Sequence, residues 1–294
     1  MAGERYLEDF RESADNLGSD YISPKEARVV EVVGDCLRNV NIEEYYLGVG
    51  ISREQLIDRG FKSVLLFGSE LEPMLRETID KTPINESEEI QRCNMGGEFS
   101  FKHDQFGRPV RDSITAELNI PTKPLEIDGI VLGHEFIHLM KDTNYDELKS
   151  SLYTEVLPMF LEFICFDKGI EFAPELLKMR IDILGRQYDY YREFALESER
   201  QHEYFGREFK GIGYRKSLEE FACTLSGSYL NSFYVALVLY NMYKDNPKKM
   251  LEMVRKVLQK EMITKDLCDR LGVISEEQDE TFVREFEGLN KVLK

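Results

Sequence analysis

The stretch Gly133-His134-Glu135-Phe136-Ile137-His138 decides how the rest of the chain is read. In an α-helix, residues four apart project from one face a turn apart, so the imidazoles of His134 and His138 can converge on one tetrahedral cation. Glu135 lies beside them, placed to hydrogen-bond a metal-activated water instead of the metal, the position a general base needs in metal-assisted hydrolysis. The chain has only 4 histidines, so a pair at this spacing around an acid is informative. The remaining two, His103 and His202, are read as ordinary surface or core histidines. Flanking residues predict that the motif is helical: Thr122 is the expected N-cap of a helix through Pro124, Leu125, Glu126 and Asp128, with Lys141 near its negative end.

A catalytic zinc takes three protein ligands and keeps a fourth position open. Asp142, Asp146, Glu147, Glu155 and Glu162 follow the motif as candidates for the third. Glu155 and Glu162 share a face of the next predicted helix, about two turns apart, and either can reach back.

Upstream of the motif the pattern is first helical and then extended. Ser23-Pro24-Lys25-Glu26 supplies an N-cap, a proline for the first helical position and a capping-box acid, ahead of an apolar stripe at Val30, Val33 and Leu37. A helix is expected over 24–38, and a second over Phe61–Ile79 with Gly68 and Pro73 against its continuity. After Gly96-Gly97, residues Phe99, Phe101 and His103 alternate with polar ones, Asp104–Pro109 offers turn chemistry, and Ile114, Ala116, Leu118 and Ile120 alternate again. Two antiparallel strands are expected, the second presenting an edge to which an extended peptide can add. From Thr122 onward the chain reads as helical, including a stripe at Leu177, Ile181, Leu184, Tyr188 and Tyr191.

Composition narrows the function. With 38 basic against 55 acidic residues the formal charge is −17, which repels phosphate backbones and anionic lipid surfaces, so nucleic acid and membranes are not expected partners. Phe221–Tyr243 carries no formal charge and has spanning length, but Ser226, Gly227, Ser228, Asn231, Ser232 and several tyrosines fit a central core helix better. The 5 cysteines lack metal-ligand or disulfide-framework spacing, and residues 1–10 lack a secretory pattern, so the cytoplasm is the expected location. No linker-like tract divides the chain. We read residues 1–294 as one mainly helical domain: a helical part over 1–95, a hairpin or small sheet over 96–121, and the metal-binding helical part over 122–294.

Three blocks resemble the M3 family of zinc peptidases, the oligoendopeptidase F group included. They are Gly133–His138, the Glu155-Val156-Leu157-Pro158-Met159-Phe160-Leu161-Glu162 segment, and Tyr229-Leu230-Asn231-Ser232-Phe233 with the tail through Val273 and Phe286. The resemblance implies a mainly α, helical zincin-like metallopeptidase domain with a small antiparallel sheet beside its active-site helix. It implies Zn²⁺ held by His134, His138 and Glu155, Glu135 as general base, Glu162 orienting a histidine, and Tyr229 donating to the oxyanion of a peptide substrate, with Tyr214 as the alternative donor. Four features depart from the family: Ile137 replaces its usual glycine, the connection from His138 to Glu155 is short, the histidine and tyrosine expected just upstream of Tyr229 are not in register, and the chain is much shorter than family members. The competing expectation is a non-catalytic, zinc-stabilised domain that binds a peptide or protein, which a closed four-ligand site would favour.

Overall fold

A computed structural model describes residues 24–38, 40, 42, 46–88, 96–100, 115–141, 151–204 and 225–293. The first helix, α1 (Pro24–Leu37), buries Val30, Val33 and Leu37 as the stripe requires, while Ser23, its expected cap, lies outside the described residues. Helix α2 (Arg53–Val64) opens on a reciprocal capping box: the Ser52 side chain accepts from Gln55 N at 3.3 Å, and Gln55 Oε1 accepts from Ser52 N at 2.8 Å. The helix expected over Phe61–Ile79 is broken. Two 3₁₀ turns, Leu65–Phe67 and Ser69–Leu71, flank Gly68, whose φ of 145° only glycine adopts readily, and α3 (Glu72–Lys81) restarts with Pro73 in its first turn.

The sheet has a third member that alternation did not announce. Strands β1 (Ile84–Ser87), β2 (Gly96–Ser100) and β3 (Thr115–Pro121) lie in the order β1-β3-β2. β2 and β3 pair antiparallel, Gly97 opposite Leu118 and Phe99 opposite Ala116, as expected. β1 adds to the other side of β3 in parallel, Ile84 opposite Leu118. β3 is therefore the central strand, paired on both sides, and cannot offer the free edge that its alternation suggested. Its alternation is instead used to bury Leu118 and Ile120 against the helices and expose Thr115 and Glu117. Phe101–His103, Ile114 and the Asp104–Pro109 turn lie outside the described residues.

The chain continues through α4 (Asp128–Lys141), α5 (Val156–Asp167), α6 (Ala173–Tyr204), α7 (Leu225–Asp245), α8 (Pro247–Leu258), α9 (Thr264–Leu271) and α10 (Glu276–Leu293). α4 begins at Asp128, five residues later than an N-cap at Thr122 implies. Residues before it form an extended entry, in which Leu125 bridges Gly50 and Ile51 N donates to Pro124 O at 2.9 Å. Asp128 ends that entry: its Oδ2 accepts from Leu125 N at 2.7 Å, while its own N donates to Leu125 O at 3.0 Å. Proline 124 and this bridge, not Thr122, set where the helix starts.

α4 carries the histidine motif and is buried along its whole length. It packs closely on α2 and α5, and glycines set the first distance: a Cβ on Gly133 would lie 2.9 Å from Ser63 Cβ and 3.2 Å from Gly60 O. α5 in turn packs on α7 and α6, whose stripe at Leu177, Ile181, Leu184, Tyr188 and Tyr191 is buried. Within α7, residues Phe233–Leu239 are all buried by neighbouring helices, which accounts for the lack of charge in the helix up to Tyr243. Among the described residues no helix is long and apolar enough to cross a membrane.

Candidate metal centre

α4 presents His134 and His138 on one face, their ring centroids 5.1 Å apart, and α5 is the opposite wall. Glu155 is the N-cap of α5 instead of a residue within it, and Glu162 follows inside the helix. This local difference gives the two glutamates different work. Oε2 of Glu155 lies 3.0 Å from Nε2 of His134 and 3.3 Å from Nε2 of His138, between the two rings. Oε1 of Glu162 lies 2.8 Å from Nδ1 of His134, behind that ring. Spacing left both acids as candidates and the M3 resemblance implied Glu155; in the fold it is Glu155 that lies between the two Nε2 atoms.

All four of these side chains are buried. Burial opposes the charge on Glu155, but the charge of His138 and hydrogen bonds from both histidines outweigh it and hold the carboxyl well below its ordinary range. Glu162 is likewise held low against burial, chiefly by the charge of Arg180 and then by His134. Burial disfavours the imidazolium of His134, yet its two carboxylate partners raise its pKa above the usual value. Glu135, also buried, moves the other way: burial pushes its carboxyl up, with the histidine charges opposing.

Tyr229 reaches the centre from α7. Burial first, then the charge of the nearby Glu155, raises the pKa of its hydroxyl. Tyr214, Asp142, Asp146 and Glu147 lie outside the described residues, as does His103; His202 belongs to α6. Arg180, on α6, is a member of this cluster that sequence inspection missed. Its Nη2 donates to Glu162 Oε1 at 2.9 Å and its Nε to the same oxygen at 3.1 Å. The only available signal was its place on the inner side of a regular apolar stripe, between Leu177 and Ile181.

The donor set fits a divalent cation. The ligand atoms of His134, His138 and Glu155 all lie within 4.8 Å of one another, and among the described residues no fourth His, Cys, Asp or Glu joins them. A carboxylate only accepts, so each imidazole nitrogen facing one must carry a proton. His134 faces carboxylates with both nitrogens. A cation between the rings would replace the proton on Nε2 while Nδ1 continues to donate to Glu162, the usual arrangement behind a metal-bound histidine. Two imidazoles and one carboxylate suit zinc with an open position.

No family model matches the chain, and no match was found among curated proteins. Among solved structures, the chain is similar to a protein from Bacillus anthracis provisionally assigned as an oligoendopeptidase F, with a TM-score of 0.55 and 10% identity. The match covers 96% of this chain and 59% of that one. The two share a fold. The mainly helical architecture with a small sheet, expected from the M3 resemblance, is thus found in the structure. The chain spans little more than half of the neighbour's length.

Proposed function

We propose that the chain is a zinc-dependent peptidase of the M3 type, with His134, His138 and Glu155 as zinc ligands and peptides as substrates. The observation that carries this reading is the convergence of those three buried side chains beside Glu135. A bound zinc supplies Lewis acidity for the scissile carbonyl and lowers the pKa of water to about 7.

The chain's own residues do the rest. Glu135 accepts a proton from the attacking water and returns it to the leaving amine. Its burial favours that role, because a carboxyl raised above its ordinary range is a better match to proton transfer near neutral pH. Tyr229, with its proton held by burial and by Glu155, donates to the carbonyl oxygen as negative charge develops there. Glu162 accepts from Nδ1 of His134 and so leaves the Nε2 lone pair for the metal. Among the described residues only three donors converge, which supports hydrolysis over the non-catalytic alternative with its closed fourth position. Acidic composition argues against a nucleic-acid substrate, and the free thiols Cys36, Cys165 and Cys268 suit a reducing compartment such as the cytoplasm.

The test separates metal from chemistry. Glu135→Gln should retain zinc at wild-type stoichiometry and lose peptide hydrolysis, and chelation should abolish activity in the wild type. Normal turnover by zinc-loaded Glu135→Gln would exclude Glu135 as the base.

A further inference from the structure

We infer that Arg180 is a positioning residue for the metal centre: its guanidinium fixes the Glu162 carboxylate so that Glu162 in turn fixes the His134 ring. The inference rests on the zinc-site reading above and extends it to a residue that is linked by hydrogen bonds to the ligand His134 only through Glu162.

Three observations carry it. First, the contact is a fork and not a point charge: Nη2 and Nε both donate to Glu162 Oε1, at 2.9 and 3.1 Å, and Nε also lies 3.3 Å from Oε2. A planar guanidinium held this way restricts both the position and the plane of the carboxylate, which an ammonium cannot do. Second, Oε1 is the same oxygen that lies 2.8 Å from Nδ1 of His134, so the atom Arg180 pins is the atom that orients the ring. Third, charge balance gives Arg180 a place in the cluster as a whole. Glu135, Glu155 and Glu162 are three buried carboxylates, and a divalent cation compensates two negative charges. Arg180, whose side chain is only 15% exposed, adds a positive charge beside these carboxylates and acts on Glu155 and Tyr229 as well as on Glu162.

A purely structural ion pair tying α5 to α6 would show the same bonds, so the test must read the metal and not only the fold. Zinc dissociation constants are measured by competition with a chromophoric chelator for the wild type, Arg180→Met, Arg180→Lys, Glu162→Gln and the Arg180→Met/Glu162→Gln double variant. Folding of each is checked by circular dichroism and urea unfolding. Arg180→Met should weaken zinc binding about 10–100-fold, the usual effect of losing an outer partner of a ligand. Arg180→Lys should recover only part of that loss. Because Arg180 acts through Glu162, the double variant should bind zinc no more weakly than Glu162→Gln alone.

Wild-type affinity in folded Arg180→Met or in Arg180→Lys overturns the inference, as does a double variant whose losses multiply. If Arg180→Met does not fold, the double variant, which leaves neither charge without a partner, decides by its comparison with Glu162→Gln. A wild-type protein that binds no zinc would overturn the metallopeptidase reading itself, and with it this role; that outcome is visible before any variant is compared.

Discussion

Replacing Glu155 by alanine removes the carboxylate whose Oε2 lies 3.0 and 3.3 Å from the two histidine Nε2 atoms. Four-ligand structural zinc sites bind with about 10–16 kcal/mol, or roughly 2.5–4 kcal/mol for each ligand. At about 1.4 kcal/mol per tenfold, Glu155→Ala should weaken zinc binding by roughly 60–700-fold. Glu162 bonds the far nitrogen of His134, so Glu162→Ala should cost less, about 10–100-fold. The fold should survive both. In the metal-free protein Glu155→Ala deprives two buried imidazoles of a shared acceptor, a loss of about 1–3 kcal/mol that is partly offset by no longer burying a carboxylate. That lies within the usual 5–15 kcal/mol stability of a domain. The assay is zinc stoichiometry after dialysis against a competing chelator, with circular dichroism to establish native helix content. If Glu162→Ala loses zinc while Glu155→Ala retains it, the ligand assignment is reversed.

Tyr229→Phe should keep zinc but reduce kcat by about 10²–10³, the effect of removing one oxyanion donor; unchanged kcat would remove Tyr229 from the mechanism. Gly133→Val forces a side chain where a Cβ would already be 2.9 Å from Ser63 Cβ, so urea unfolding should report a loss of about 1–3 kcal/mol, and wild-type stability would mean α2 and α4 can separate freely. The pH dependence of the metal-free protein has two signs. Glu155 and Glu162 are held low, so their contribution is complete above an unfolded pKa of about 4.3 and fades as pH falls through their folded values. His134 is held high, so its contribution is complete below an unfolded pKa of about 6.5 and fades as pH rises through its folded value. Zinc competes with the His134 proton, so the same free zinc should raise the urea midpoint more at about pH 8 than at about pH 6; equal shifts would contradict proton displacement.

What could be read without coordinates was whatever is written in a local period. His134 and His138 share a face because helical geometry places residues four apart together, and that holds wherever the helix packs. The stripes of α1 and α6 and the alternation of Ala116, Leu118 and Ile120 were readable for the same reason. Residues whose place depends on a distant partner were not. Thr122 has capping chemistry, but the bridge from Leu125 to Gly50 holds the preceding backbone extended. β3 has the pattern of a half-buried strand, yet its central place follows from β1, a four-residue segment with no strong alternation of its own. Glu155 and Glu162 are equivalent by helical spacing; the start of α5 at Val156 sends one between the rings and the other behind them. Arg180 was the least visible, since a charged residue on a helix is normally solvated and only the packing of α6 on α5 brings it to Glu162. The sequence by itself determined that two histidines and an acid would share a helix. The third ligand candidate, the orientation of His134 and the positive charge behind it were decided by the packing of α4, α5 and α6, because burial removes water and makes each buried charge depend on a partner that spacing along the chain does not specify.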